Sequence, residues 1–556
     1  MCGIWTFINL LKLNINNNQL YNDFMNLKHR GPDLSNFQII KNVAIGFHRL
    51  AIMDPTFNAN QPYIIEDNDT TIIFICNGEI YNFKELIIKY NLIINNNSDC
   101  MTIPKLYIKY KSNIKLFSEL FINEIKGEFA FILLEFDKFQ NLENIVIGRD
   151  QIGIRPLFWS TLSNQKALLF SSEIKGMGNY KETISEFEPG TILKLNINIF
   201  QKINLISNYN FKNIYNINAS LEGLCSEEYY LNNVRNAVIN SIKRRLIADK
   251  PIAFLLSGGV DSSLVASISS KILNQSINTF CCGMKGGTDL DYARQVANHI
   301  NSNHTEVYFT PEEGIQAIKD VIWTTETWDT TTIRASVGQY LVCKHIGTKT
   351  DSKVVMVGEG PDEVCSSYLF NFLAPSGEEL HETAKEFVEK IHLFDGRRAD
   401  RCISRWGLEG RIALLDPEFI NAYWEIPSDM RHPKYKGIEK WWLRKAFENT
   451  GLLLLPDNSK LLPDNVLWRK KEAFSDGVSS KTKSWFEILQ DYIKTQVSDE
   501  EFKQSNEPSI EAYYYKKIFI DFFGIDRISI LPHYWQPKWT NQKGYIDPSA
   551  RTLNIY

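Results

Sequence analysis

Near residue 225 the chain changes its rhythm, and one kind of sheet cannot accommodate both halves. Up to about residue 200 it consists of short apolar runs, among them Ile72–Cys76, Phe129–Phe136, Ile145–Ile147 and Ala167–Phe170, separated by turn residues. Such runs read as strands. Two layers of sheet with helices, such as one around Asn82–Tyr90, would bury them. Beyond residue 225 the pattern is strand, loop, helix. Ile252–Leu256 is followed by Ser-Gly-Gly and a helix from about Asp261, and Val354–Val357 is followed by glycines and acids. This is the signature of a parallel sheet with ligands at the carboxyl ends of its strands. The last part is helical and aromatic-rich. The Asn-rich stretch between the halves divides the chain into a first domain over 1–205, a linker over 206–224 and a second domain over 225–556.

Composition narrows the class. At 556 residues the chain exceeds one ordinary core. Its 44% hydrophobic and 23% charged residues are those of a soluble globular protein, and a net charge of −4 gives no reason to expect nucleic acid or an anionic membrane. Nine cysteines without a Cys-x-x-Cys pair fit a reducing compartment. The start lacks a basic region and a cleavage site, and no apolar run is long enough to span a bilayer. A cytoplasmic location is expected.

Ser257-Gly258-Gly259-Val260-Asp261-Ser262-Ser263 follows a buried-type strand and opens a helix. Glycines let backbone N–H groups converge on an anion at a helix N-terminus. The Gly-Lys-Ser ending of a Walker loop is absent. Ser-Gly-Gly-x-Asp-Ser is instead the pyrophosphate loop of enzymes that adenylate a substrate with ATP. Gly358-Glu359-Gly360-Pro361-Asp362-Glu363 carries acids that repel one another unless a cation is present. Asp261 and Asp362 are natural ligands for magnesium pyrophosphate. Lys470-Lys471 supplies cations, and Arg334 is a similar case.

The first half opens Met1-Cys2-Gly3-Ile4. Removal of Met1 would leave Cys2 with a thiol and an α-amine of pKa about 8, nucleophile and base on one residue. Asn77 and Gly78 would form an oxyanion hole, Arg49 would grip an α-carboxylate, and Asp99 an α-ammonium. Singly each is an ordinary turn or surface residue; the ordered set behind an N-terminal cysteine reads as a glutaminase.

These motifs resemble glutamine-hydrolysing asparagine synthetases, especially the eukaryotic type, over nearly the whole chain. Met1–Ile4, His29–Asp33, Arg49–Asp54, Asn77–Asn82, Gly148–Phe158 and Phe170–Gly176 are similar to the class II glutaminase domain of that family. Ser257–Ser263, Glu326–Ser336, Gly358–Glu363, Leu393–Arg401, Trp406–Asp416 and Trp468–Val478 resemble its synthetase domain, and Tyr513–Phe519, His533–Trp539 and Asp547–Leu553 its eukaryotic tail.

The resemblance implies an α/β protein. It joins an αββα N-terminal-nucleophile glutaminase sandwich to a doubly wound parallel-sheet domain with a pyrophosphate loop and helical additions. It implies that glutamine is held by Arg49, Leu50, Ala51, Ile52, Met53, Asn77, Gly78, Glu79 and Asp99. ATP would be held by Leu255, Leu256, Ser257, Gly258, Gly259, Asp261, Ser262, Cys282, Val357, Gly358 and Asp362. Aspartate would be held by Arg334 and Asp400, and Mg2+ by Asp261 and Asp362. Cys2, Asn77, Gly78, Glu359 and Lys471 would be catalytic. Glutamine, aspartate and ATP are the implied substrates, ammonia the tunnelled intermediate, and a homodimer the implied assembly. The chain departs from the family pattern at Trp5-Thr6, Met101 (usually Glu), Cys282, Pro361 (usually a small hydroxyl residue) and Ala413-Leu414. Amidation of another carboxylate, a weakly active regulatory homologue, and a glutaminase joined to a different synthase are the competing readings. Retention of Cys2, Asp261 and Glu359 argues against the second, and Ser257–Ser263 against the third.

Overall fold

The structure is a computed structural model that describes residues 1–11, 16–162, 167–178, 180, 182–197, 207–210, 225–448, 460–471, 477, 479 and 483–540. Two antiparallel sheets build the first domain. One has β1 (Gly3–Asn9), β2 (Leu34–Ile40), β3 (Val43–Arg49), β8 (Phe158–Leu162), β9 (Ala167–Ser171) and β10 (Ser185–Glu186), in the order β10-β8-β9-β1-β3-β2. The other has β4 (Tyr63–Asp67), β5 (Thr70–Ile80), β6 (Gly127–Asp137), β7 (Leu142–Arg149), β11 (Thr191–Asn196) and β12 (Ser207–Asn210), in the order β12-β11-β7-β6-β5-β4.

Period-two alternation decides what each face meets. Ile4 and Ile8 of β1 join Ile73 and Ile75 of β5, and Ile132 and Leu134 of β6, in the core between the sheets. Trp5 and Phe7 point the other way, where the Trp5 indole donates to Gly176 O at 2.8 Å and its ring packs on Phe24 and Phe37. The departure at Trp5 thus fills the outer face under the Asn17–Met25 helix. Ile72, Phe74 and Cys76 face a separate core beneath the helices Phe83–Tyr90, Thr102–Tyr110 and Ile114–Asn123.

The expected linker needs one correction. Ser207–Asn210 pairs antiparallel with β11 as the sheet's outermost strand, so the first domain's sheet runs past residue 205. The rest of 206–224 lies outside the described residues.

The second domain carries a five-stranded parallel sheet in the order β15-β14-β13-β16-β17, with β13 Ile252–Leu255, β14 Asn278–Gly283, β15 Asn303–Tyr308, β16 Val354–Val357 and β17 Glu409–Ile412. The order turns back on either side of β13, the place where such sheets open a crevice at their carboxyl ends. The loops after β13 and β16 meet there. Helices Glu227–Arg245, Val260–Leu273, Thr330–Lys349 and Ile510–Phe523 pack around this sheet, and its core is continuous with the outer face of the first sheet.

Candidate active sites and the interface between them

In the first domain β1 delivers Cys2 to the mouth between the two sheets. Leu50 N donates to Cys2 Sγ at 3.5 Å, and the thiol lies 3.8 Å from Leu50 O. Burial pushes this thiol up to about 11. Met1 is in place and 1% exposed. Its α-amine donates to Leu408 O at 3.1 Å and is pushed down to about 5 by burial.

Asn77 lies on the face of β5 that also carries Ile73 and Ile75. It is 0% exposed, yet neither side-chain atom has a hydrogen-bond partner among the described residues. Leaving a buried amide unpaired is costly, and both side-chain groups of Asn77 are open to a ligand. Gly78 follows with φ +157°, and a Cβ there would meet Glu128 O at 2.2 Å and Phe129 Cα at 2.5 Å. Only glycine lets β5 lie that close to β6.

Asp99 accepts from Ile80 N at 2.6 Å, and burial pushes it up to about 6. Burial together with Asp99 and Glu409 pushes Glu79 well above the usual carboxylate range. Met101 replaces a carboxylate with a side chain that packs against the helical core alongside Met53. Leu50 and Ile52 are buried in a small cluster with Val354 of the second domain, and Met53 packs against it. Ala51 N donates to Asp33 Oδ2 at 2.8 Å.

The Arg49 guanidinium donates to Thr56 O at 2.8 Å, to Asn60 Oδ1 and to Asp54 O. Here it ties down the 54–60 loop beside the thiol.

In the second domain one pocket gathers most of the residues expected for ATP. Leu255, Leu256, Ser257, Gly259, Asp261, Ser262, Cys282, Gly358 and Asp362 line it, with Glu359 and Lys471. Gly258 and Val357 stand behind the lining. Gly258 has φ +75°, and a Cβ there would strike Tyr292 Cβ at 2.4 Å. A Cβ on Gly358 would strike Ser262 N at 2.6 Å, so the two loops touch backbone to backbone. Pro361 occupies the first turn of the short helix Pro361–Val364. The missing N–H would have had no partner within the helix there, and the fixed φ suits it.

Lys440, absent from the sequence reading, joins the two loops. Its Nζ lies 2.5 Å from Asp261 Oδ2 and 2.6 Å from Asp362 Oδ1, and Lys471 Nζ lies 2.5 Å from Asp362 Oδ2. Lys440 has φ +55°, a conformation that costs a non-glycine residue free energy and clusters at functional sites. Burial pushes Asp362 up, but Lys440 and Lys471 outweigh it and hold it well below the usual range. Asp261 is raised by burial despite Lys440. Its Oδ1 has no hydrogen-bond partner among the described residues. That oxygen and the acid pair suit Mg2+, with Lys440 holding the position of a cation between them.

Glu359 accepts from Gln339 Nε2 at 2.8 Å and lies 3.7 Å from Arg398. Burial raises its carboxyl. Asp395 lies 3.5 Å from the same guanidinium.

Neither residue expected to hold aspartate lines this pocket. Arg334 is buried against Glu511, with Nη2 2.8 Å from Oε2, and its guanidinium stacks over Phe486. Asp400 faces the other domain, where it accepts from Arg30 at 2.8 Å and from Arg401 at 2.7 Å. Helix geometry accounts for the position of Asp400. Asp395 and Arg398, three apart on the helix Asp395–Ser404, share the pocket face, while Asp400 is two residues, about 200°, further round.

Between the sites lies a band of buried charge. Arg30 reaches Glu173 at 2.5 Å as well as Asp400, and Lys175 bridges Glu173 at 2.6 Å and Glu326 at 3.0 Å. Arg155 pairs with Glu128 at 2.9 Å and donates to Gly410 O at 2.9 Å, and Arg245 joins Glu128 to Asp416. The Met1 side chain is wedged against Arg30 and Arg155.

Comparison with known proteins decides the family. The family model described as a glutamine amidotransferase domain matches residues 1–227, and that described as asparagine synthase matches 233–384 and 373–540. The chain is 38% identical to the glutamine-hydrolysing asparagine synthetase of Gallus gallus, 39% to that of Mus musculus and 38% to that of Homo sapiens. In each case 100% of this chain and 99% of the relative are covered. The chain belongs to the glutamine-hydrolysing asparagine synthetases. These are carbon–nitrogen ligases, and ATP is a substrate of the family. Among solved structures, a glutamine phosphoribosylpyrophosphate amidotransferase from B. subtilis is 18% identical over 50% of this chain and 65% of that one, with a TM-score of 0.29, too low to bear on the fold. No helix among the described residues is long and apolar enough to cross a membrane.

Proposed function

We propose that the family's activity is divided between the two sites as follows. Removal of Met1 frees the Cys2 α-amine, which takes the thiol proton. The thiolate attacks the glutamine side-chain carbonyl. Asn77 Nδ2 and Gly78 N–H receive the oxyanion, Asp99 receives the α-ammonium, and ammonia leaves as the thioester forms. With Met1 in place the nitrogen of Cys2 is a peptide nitrogen and cannot act as base. Met1 removal also clears the space against Arg30, Arg155 and Leu408, on the line from Cys2 toward the second domain. Ammonia takes that path.

In the second site the aspartate β-carboxylate attacks the α-phosphorus of ATP, and pyrophosphate leaves. Ser257, Gly259 and Ser262 receive the pyrophosphate, and Lys471 steadies charge on the reacting phosphate. Asp261 and Asp362 would hold magnesium, which would supply charge neutralisation for the leaving pyrophosphate. Arg398, between Glu359 and Asp395, is the cation suited to an aspartate carboxylate, in place of Arg334. Glu359 stands where ammonia displaces AMP. The supporting observation is the junction of the two loops, where Lys440 and Lys471 converge on Asp261 and Asp362. Exchange of labelled pyrophosphate into ATP tests it. Exchange should require aspartate but no nitrogen source, and should vanish in Lys471→Ala. Exchange without aspartate would refute the order of steps. The same reading carries a cytoplasmic location and a homodimer, checked by cell fractionation and sedimentation.

A further inference from the structure

Two thiols stand beside the glutaminase site, and the reaction above uses neither. Cys76 precedes Asn77 and Gly78 on β5, and Cys100 follows Asp99 in the turn Asp99–Met101. They are 1% and 4% exposed and belong to one core, beneath the helices Phe83–Tyr90 and Thr102–Tyr110. Alternate residues of a strand share a face, so Cys76 stands on the face of β5 that continues at Gly78, while Asn77 points the other way. Cys100 reaches the same stretch from its turn. Its thiol donates to Gly78 O at 3.3 Å and lies 3.6 Å from Asp99 Oδ2. The Cys76 and Cys100 side chains are hydrogen-bonded to each other. Both are free thiols.

The two sides of this contact differ in freedom. β5 pairs with β6 from Thr70 to Ile80, and Gln61 holds Cys76 through both its backbone groups, accepting from Cys76 N at 2.6 Å and donating to Cys76 O at 3.3 Å. Gly78 lies so close to Glu128 O that the strand cannot shift toward β6. The turn Asp99–Met101 has no ladder of its own and meets the strand through Ile80 N on Asp99 and the Cys100 thiol on Gly78 O. A covalent bond between two sulfurs is shorter than any contact between two thiols. Forming one here draws the turn, and Asp99 with it, toward Cys76.

We propose that Cys76 and Cys100 are a modification site, closed to a disulfide by a small hydroperoxide such as hydrogen peroxide, and that closure weakens glutamine binding. The inference rests on the reading of Asp99 and Gly78 as glutamine-site residues. One thiol sulfur attacks a peroxide oxygen, the O–O bond breaks, and water leaves behind a sulfenic acid. The second thiol attacks that sulfur, the S–O bond breaks, and a second water leaves. The two thiols lose two electrons and two protons, and the peroxide takes up both. Asp99, beside Cys100, is placed to receive the thiol proton. The hydrogen bond with Cys76 and burial push the Cys100 thiol well above its usual range, so low oxidant levels leave the pair reduced. In a reducing compartment such a bond is transient, and a dithiol reductant reopens it.

The test uses the full-length Cys2→Ala chain, in which the nucleophile cannot itself be oxidised. After hydrogen peroxide and proteolysis, mass spectrometry should find the peptides carrying Cys76 and Cys100 joined and two hydrogens lighter than their sum. Calorimetry should show glutamine binding weakened at least tenfold, and dithiothreitol should restore it. Adding Cys76→Ala or Cys100→Ala to Cys2→Ala should leave binding before treatment within about threefold, and peroxide should then change it no further. Both thiols still unlinked after peroxide, a linked pair with unchanged glutamine affinity, or an equal loss of affinity in both double variants would overturn the proposal. Absence of glutamine binding in the untreated Cys2→Ala chain would strike the glutaminase reading instead, since the linkage is read from the peptides alone.

Discussion

Glu173 at the domain interface and Glu363 in the synthetase site are both buried carboxylates, and they titrate in opposite directions. Burial pushes Glu173 up, but Lys175, His29 and Arg30 outweigh it and hold it well below the usual range. Asp400 and Asp416 follow the same rule with Arg30 and Arg401, and with Arg245 and Arg244. Asp261, Glu359 and Glu363 are raised instead, as are Asp99 and Glu79 in the glutaminase site. Cations outweigh burial at the interface acids, whereas burial prevails at the raised acids of the two sites. Asp362, gripped by two lysines, departs from this within a site. Charge matched inside the protein serves assembly; charge left short of partners awaits a ligand.

The largest effect expected from breaking this contrast is at Glu359. Glu359→Ala should lower asparagine formation by about a thousandfold, within the range expected for an acid or base in a transition state. Glutaminase activity should persist, and simultaneous assay of glutamate and asparagine checks both.

At the interface, Asp400→Ala takes from Arg30 and Arg401 one of the carboxylates they share. Removing one member of a buried pair costs about 3–5 kcal/mol. Denaturant unfolding should record that loss, with more glutamate released per asparagine formed because the path between the sites is disturbed.

A pH titration sharpens the comparison within the glutaminase site. Asp99 is pushed up to about 6 by burial, and in the proposed reading its ionised form holds the α-ammonium. Glutamine-dependent kcat/KM should therefore fall as pH drops through about 6, up to tenfold per unit below it, relative to the ammonium-dependent route. For stability the sign is the reverse of a salt-bridged acid. The folded state holds an extra proton between the unfolded value, about 3.9, and about 6. Stability is lost as pH rises through that window, and Asp99→Asn should remove this part of the slope.

The smallest effect belongs to Lys126, 3.5 Å from Glu418 across the same interface but 47% exposed. Lys126→Ala should cost about 0.5 kcal/mol or less, because solvent screens the pair. A loss equal to that of Asp400→Ala would break the distinction between buried and exposed pairs.

The chemistry carried by contiguous motifs was legible in the sequence. Ser257–Ser263 and Gly358–Glu363 announce themselves because glycines, hydroxyls and acids follow apolar strands, and the structure brings them into one pocket. Lys440 was not legible, because it reaches Asp261 from 179 residues away and no local pattern surrounds it. That Arg398 and not Asp400 lines the pocket follows from the helical period, but only once it is known which face meets the pocket. The strand Ser207–Asn210 was hidden by its Asn-rich composition, with β propensity overridden by pairing to β11.

The most direct test of two separate sites in one chain is a paired assay of the unaltered protein and Cys2→Ala. Each is supplied with aspartate, ATP and magnesium, and with either glutamine or ammonium chloride. Asparagine, glutamate and pyrophosphate are quantified together. The unaltered chain should give asparagine and pyrophosphate in equal amounts from both nitrogen sources, and Cys2→Ala should give them from ammonium alone. Loss of both routes in Cys2→Ala, in a protein that still unfolds like the unaltered chain, would contradict the account.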